Sequence, residues 1–274
     1  MTSILTNNGA MVALQTLNSI NMNLENTQNA ISTGKEVATA KDNSAIWAIS
    51  KVMESDVAGF NAVGDSLALG ESTVAVATAG AEQITDLLRE MKEKVTTATG
   101  ENVDHNKIKA EVDELKKQIT SIIKGSQFNG ANLLNTAGGN LTVLSSLDRD
   151  STGTVTASNI TVSSVNFEAS LDLATIKVGT SADAEASIDD IEKLIQTAVD
   201  GAAALGASAA RIEKQSEFVS KVSDAMKSGI GALVDTDMEA ASARLKALQT
   251  QQQLGVQALS IANSAPQTLQ QLFR

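Results

Sequence analysis

Between Ile188 and Leu233 the apolar residues recur at alternating steps of three and four. The series is Ile188, Ile191, Ile195, Ala198, Ala202, Leu205, Ala209, Ile212, Ser216, Val219, Ser223, Met226, Ile230 and Leu233. Only the two serines interrupt it, and both are small. A mean spacing of 3.5 keeps a stripe on one face of a supercoiled helix, so the stretch predicts a coiled-coil seam. At about 1.5 Å per residue that helix extends roughly 70 Å and needs a partner of similar length. The same count from Ile46 passes through Ile49, Met53, Asp56, Phe60, Val63, Leu67, Gly70, Val74, Ala77, Ala81, Ile84, Leu88 and Met91 to Val95. A shorter third helix is predicted on Ile108, Val112, Leu115, Ile119 and Ile122.

The two ends of the chain carry the period in a different chemistry. Ala10, Leu17, Leu24 and Ile31 occupy one heptad position, and Ala13, Ile20 and Thr27 the other. The remaining faces are mostly amides, and Glu25 is the only charge before Lys35. Near the other end, Met238, Ala241, Leu245, Leu248, Gln252, Gly255, Leu259 and Ala262 form the stripe, again among amides such as Gln249, Gln251, Gln253 and Gln257. A solvated helix face normally carries Lys and Glu. Amides are buried at far lower cost than charges, provided they find hydrogen-bond partners.

The phase of the stripe slips by one residue in both halves, between Ile31 and Ile46 and between Leu233 and Met238. In the first gap Gly34 is a predicted helix stop, with Lys41 beside Asp42 and Asn43, either of which can cap the next helix. Asp235 and Asp237 occupy the second gap. Together these residues predict a joint between two helical tiers. Phe128, Asn129 and Gly130 form a sharp turn signal. From Leu141 to Val178 Thr, Ser and Val alternate, as strands do. Asp189-Asp190 reads as the N-terminal turn of the second long helix, and Pro266 as the end of the last one.

The expected fold is mostly α: a long antiparallel coiled-coil or helical-bundle hairpin, termini together, with a small β-rich tip. Residues 1–44 with 235–274 would form a terminal tier, 45–140 with 183–234 a helical rod, and 141–182 a surface-exposed β-rich insert. The terminal tier buries too little apolar area to offset ordering entropy of about 1–2 kcal/mol per residue. It is therefore predicted to be disordered in an isolated chain and to order against other copies. The candidate polymerisation residues are Leu14, Leu17, Ile20, Leu24, Ile31, Leu245, Leu248, Leu254, Leu259, Leu272, Phe273 and Arg274.

Composition narrows the chemistry. The 274 residues include no Cys, one His and one Pro, with 2% aromatics. His- or thiolate-based metal sites are thereby excluded, and no catalytic residue or cofactor is expected. A net charge of −11 argues against nucleic acid or an anionic membrane as partner. No apolar run approaches the roughly 18 residues needed to span a bilayer. With Lys35 the first basic residue, a cleavable secretory signal is not expected.

Three runs carry a resemblance: Ser32-Thr33-Gly34-Lys35 through Ala40-Lys41-Asp42-Asn43-Ser44-Ala45, Gln127-Phe128-Asn129-Gly130-Ala131-Asn132-Leu133-Leu134, and Gln253-Leu254-Gly255-Val256-Gln257-Ala258-Leu259-Ser260-Ile261-Ala262-Asn263 with Leu272-Phe273-Arg274. The chain resembles bacterial flagellin over both ends and most of the helical region. Trp47 and the small central insert look like the compact flagellins of alphaproteobacteria. The resemblance implies a structural subunit that polymerises into the flagellar filament, with terminal helices lining its interior. It implies an extracellular destination reached through the flagellar type III export channel. Implied partners are further copies, the export apparatus, hook-associated and cap proteins, and an export chaperone. A hook–filament junction protein shares such termini, but the dense match at both ends favours the filament. A metalloprotease carried on a flagellin scaffold needs His-Glu-x-x-His, which one His cannot supply. A cytoplasmic coiled-coil scaffold would leave the amide faces unexplained.

Overall fold

The computed structural model describes residues 7–150 and 152–272, with side-chain surroundings up to residue 264. The chain is mostly helical: α1 (Asn8–Thr33), α2 (Ser44–Thr97), α3 (His105–Gly125), α4 (Phe167–Ser170), α5 (Ser181–Val234) and α6 (Met238–Leu272). Strands β1 (Leu141–Arg149) and β2 (Val155–Val162) form one antiparallel hairpin. Two compact units emerge, residues 56–224 and residues 1–55 with 225–274, and α2 and α5 contribute to both.

In the 56–224 unit the seam of α2 is buried without interruption from Phe60 through Val63, Leu67, Gly70, Val74, Ala77, Ala81, Ile84, Leu88 and Met91 to Val95. Ile191, Ala198, Leu205, Ile212 and Val219 of α5 and Val112, Leu115 and Ile119 of α3 are buried with them. Ion pairs tie the helices at the surface: Lys92 of α2 with Glu192 of α5, and Lys94 with Glu111 of α3 at 2.7 Å. Exposed pairs of this kind are each worth roughly 0–1 kcal/mol, so the apolar seam carries the packing. Asp104 caps α3 by accepting from Asn106 and Lys107 N–H, and His105, the single histidine, places Nε2 3.0 Å from Ala98 O. In the 127–131 turn, Phe128 and Ala131 exchange two backbone bonds of 2.9 Å across Asn129 (φ 48°) and Gly130 (φ 84°). Positive φ at both central residues is what Asn-Gly supplies at least cost.

Several elements differ from the sequence expectation. The alternation ends at Val162, not Val178. Beyond it the segment folds back, with Val165, Asn166 and Glu168 N–H donating to Leu133 and Leu134 carbonyls, and only short helical turns follow. α5 starts at Ser181, where the Thr180 hydroxyl accepts from Asp183 N–H at 3.1 Å. Asp189 and Asp190 therefore lie two turns inside α5, where Lys193 reaches both, at 2.7 and 3.4 Å.

The hairpin is placed differently from a terminal tip. Val143, Ile160 and Val162 are buried. A Cβ on Gly70 of α2 would stand 2.5 Å from Val143 Cγ2, and one on Gly59 2.8 Å from Leu147 Cδ1. Arg149 then pairs with Asp56 at 2.5 Å. β1 thus runs alongside α2, past Gly70, Gly59 and Asp56 in turn. On α5, Gly201 receives the same segment's continuation, with Val165 Cγ1 and Phe167 Cε1 2.5 and 2.6 Å from where its Cβ would be. Glycine is required at such contacts because any side chain would displace the neighbour.

Gly201 and Gly206 of α5 separate this effect from helix propensity. Nothing lies within 4 Å of a Cβ on Gly206. Gly206→Ala should stabilise by up to about 1 kcal/mol. Gly201→Ala should destabilise by about 1–3 kcal/mol through overpacking against Phe167, despite alanine's better propensity. Urea unfolding followed by circular dichroism reads both.

Candidate assembly surface

In the other unit α1 and α6 pair along the two predicted stripes. Ala10, Ala13, Leu17, Ile20, Leu24, Thr27 and Ile31 of α1 are buried or half-buried, as are Ala241, Leu245, Leu248, Gln252, Gly255, Leu259 and Ala262 of α6. The contact is close where side chains are small: a Cβ on Gly255 would lie 3.2 Å from Leu17 Cδ1. One amide pair crosses it, Gln252 Nε2 donating to Asn21 Oδ1 at 2.7 Å. The expectation of disordered ends is not what the structure shows, because both helices are formed and paired. What they lack is a core. Thr27 is the only buried residue of α1, and of the candidate interface residues that the structure describes only Leu248 is buried.

The rest of the paired surface mixes amides and hydroxyls with exposed apolar side chains. Leu14 and Leu254, both expected to be interface residues, are 50% and 57% exposed. Met11, Val12, Met22, Val256 and Ile261 are also exposed, and the sequence reading missed them because they fall off the heptad stripe. The signal that could have found them is the same one that marks the amide faces, apolar side chains where charge is expected. Leu272 ends α6, and its side chain, like Phe273 and Arg274, lies outside the described residues.

Pro266 does not end α6, which continues to Leu272. A proline inside a helix leaves the carbonyl four residues earlier without its N–H partner. That carbonyl belongs to Ala262, and it accepts from Asn7 Nδ2 at 2.7 Å.

The joint residues hold the chain crossings in place. Gly34 ends α1 at φ 70°, a left-handed C-cap. Lys35 and Asp235 then form an isolated antiparallel bridge, with Glu36 N–H donating to Val234 O at 2.7 Å and Thr236 N–H to Gly34 O at 3.0 Å. Asn43 caps α2 through Ile46 N–H at 3.2 Å, and Asp237 caps α6 through Glu239 and Ala240 N–H. Asp42 caps no helix. It accepts from Ala38 N–H, Thr39 N–H and the Thr39 hydroxyl, folding the loop on itself, while Lys41 beside it is exposed. Three predicted seam positions near the joint, Ile49, Leu233 and Met238, stay exposed at 54%, 42% and 46%.

Charge is divided between the units. Residues 1–55 and 225–274 hold seven basic and seven acidic side chains, whereas residues 56–224 hold fourteen and twenty-five, so the second unit carries the whole −11. Among the described residues no cluster of three or more His, Cys, Asp or Glu could hold a metal, and no helix is long and apolar enough to cross a membrane.

These observations define a class: a mostly helical chain whose α1–α6 pair leaves large apolar side chains exposed. Residues 4–138 match the family model for the bacterial flagellin N-terminal helical region, and residues 188–273 that for the bacterial flagellin C-terminal helical region. The chain belongs to the bacterial flagellin family, and its function is that of a structural subunit of the flagellar filament rather than an enzyme. Flagellin FljM of Caulobacter vibrioides is 41% identical over all of this chain and 99% of its own length. The flagellin of Brucella melitensis is 41% identical and flagellin C of Rhizobium meliloti 38%, each over the full length of both chains. A crystal structure of Bacillus cereus flagellin superposes with a TM-score of 0.49 at 22% identity, over 56% of this chain and 86% of that one.

Acid should loosen the joint. Hydrogen bonds from Thr39, backbone first, hold the Asp42 carboxyl below its ordinary value of 3.8, and Lys51 chiefly holds Glu54 below 4.5. A depressed carboxylate stabilises the fold above its ordinary value, and that contribution is lost as pH falls through the lowered one. The thermal midpoint should therefore be level near neutrality and drop below about pH 4. Its acid limb should be shallower in a D42N/E54Q double variant, measured by melting across pH 2.5–7.

Proposed function

We propose that copies join into the filament chiefly through the outward faces of α1 and α6. The observation that carries this reading is the run of exposed apolar residues, Met11, Val12, Leu14, Met22, Leu254, Val256 and Ile261, on helices almost without charge. A helix that is apolar on several faces is a helix meant for burial. Here a single chain leaves those faces open, so further copies are the natural cover. Leu17, Ile20, Leu24, Ile31, Leu245, Leu248 and Leu259 act one step back, setting the α1–α6 pair that presents the faces. Leu272, Phe273 and Arg274 would extend the same surface. On this reading residues 1–44 with 235–274 form the inner tier, 45–140 with 183–234 the wall, and 141–182 an insert turned toward solvent.

The destination is extracellular, reached through the flagellar export apparatus as an unfolded chain, with hook-associated proteins, cap proteins and an export chaperone as further partners. A chain with no Cys and one Pro suits that route, having no crosslink and only one slowly isomerising bond. None of the relatives named above is a hook–filament junction protein.

Seeded elongation read by sedimentation and electron microscopy tests the surface. Leu14→Asp and Leu254→Asp should each raise the critical concentration at least about tenfold, since each puts a charge into an apolar contact. Their melting should stay within about 0.5 kcal/mol of the parent, as for other exposed sites. Val155→Asp, on β2 and 46% exposed, is the control and should elongate normally. Normal elongation by both leucine variants would remove the assignment. A nonspecific protease should trim α1 and α6 from free chains and spare them in filaments; equal resistance in both states would show that the terminal pair is stable alone.

A further inference from the structure

Asn7 uses both ends of its amide. Oδ1 accepts from Ala10 N–H at 3.1 Å, capping α1, and Nδ2 donates to Ala262 O at 2.7 Å, 255 residues away. Ala262 is four residues before Pro266, so its carbonyl is the one that proline leaves unpaired within α6. A freed carbonyl is an acceptor that wants a donor, and a proline inside a helix is costly unless one is supplied.

We infer that Asn7 and Pro266 work as a matched pair, a clasp that fixes the register of α1 against α6 and so positions the assembly surface. The inference rests on the filament reading for its consequence but not for its geometry. Register matters because few directional contacts cross between these helices, the Gln252–Asn21 bond being the other one described above. Ala10, Ala13, Gly255 and Ala262 interdigitate little, and a sliding pair would present Leu14 and Leu254 at variable spacing. One directional bond at the chain's two ends removes that freedom. The amide suits the place because it accepts on Oδ1 and donates from Nδ2, which a carboxylate cannot do. Proline's role is equally specific: within the body of α6 it frees the Ala262 carbonyl, and Pro266 is the only proline.

Four full-length proteins separate the clasp from the cap: the parent, Asn7→Asp, Pro266→Ala, and the double variant. Aspartate in place of Asn7 keeps a good N-cap, and favours the helix N-terminus by charge, while losing the donor to Ala262. In seeded elongation Asn7→Asp should raise the critical concentration about fivefold, the loss expected for one hydrogen bond. In the Pro266→Ala background residue 266 supplies its own N–H to Ala262, and the same substitution should change it less than twofold. The same four proteins are melted as free chains, where Asn7→Asp should lower the first loss of helical signal only when Pro266 is present. An Asn7→Asp protein that elongates and melts like the parent would overturn the clasp while leaving the filament reading intact. So would a loss of equal size in both backgrounds, which would assign the effect to the new charge. A parent that fails to elongate seeds would overturn the filament reading instead, and the melting cycle would then decide the clasp alone.

Discussion

Two helices that meet along a stripe half of which is alanine, threonine, glutamine and glycine have limited apolar area to give each other. Each residue they order costs roughly 1–2 kcal/mol of conformational entropy, and burial returns about 25 cal/mol per Å² of apolar surface. α1 and α6 sit on the wrong side of that comparison. Thr27 is the only residue buried on α1, and the larger side chains that could add burial, Met11, Leu14, Met22 and Leu254, point outward. The 56–224 unit has the opposite balance, with Leu67, Ile84, Leu88, Met91, Ile191, Leu205 and Ile212 fully enclosed. One unit has an enclosed core, and the other leaves most side chains of α1 and α6 open or half-open.

The division of charge follows the same line. A surface buried between copies, as proposed for α1 and α6, could not hold unpaired charges, because removing them from water costs several kcal/mol each even after relaxation. Residues 1–34 accordingly hold Glu25 alone, and residues 247–273 hold none. The acidic excess sits on the unit with the buried seam, where, under the proposed reading, like charges on neighbouring copies would remain hydrated and be screened beyond about 10 Å at ordinary salt. Asparagine and glutamine provide polarity without that penalty. The Gln252–Asn21 bond shows the type of pairing they make.

What the sequence made legible was whatever depends on period and local chemistry. Every seam position of α2 from Phe60 to Val95 is buried, the α6 stripe holds from Ala241 to Ala262, and Gly34, Asn43, Asp237 and the Asn129-Gly130 turn behave as their side chains dictate. Contacts between distant residues were not legible. The hairpin could not be laid along α2 without knowing that Val143 fits Gly70 and that Arg149 meets Asp56. Pro266 read as a terminator because its remedy, Asn7, stands at the other end of the chain. Of the assembly surface, the stripe residues were found and the off-stripe residues Met11, Val12, Met22, Val256 and Ile261 were not, since a heptad count registers one face only.

Leucine at the small stripe positions too, in place of Ala10, Ala13, Thr27, Gln252 and Gly255, would hold α1 and α6 together more tightly in the free chain. Under the proposed reading that would be a disadvantage. If a weakly paired α1 and α6 are held fast only as a copy is added, that remaining ordering entropy is subtracted from the gross contact energy at each addition. Free chains then have little tendency to start a filament, while a growing end offers a preformed surface that compensates the cost at once. Weak pairing within the chain and strong cover between chains are thus two sides of one design, and the small residues of the α1–α6 stripe set the balance between them.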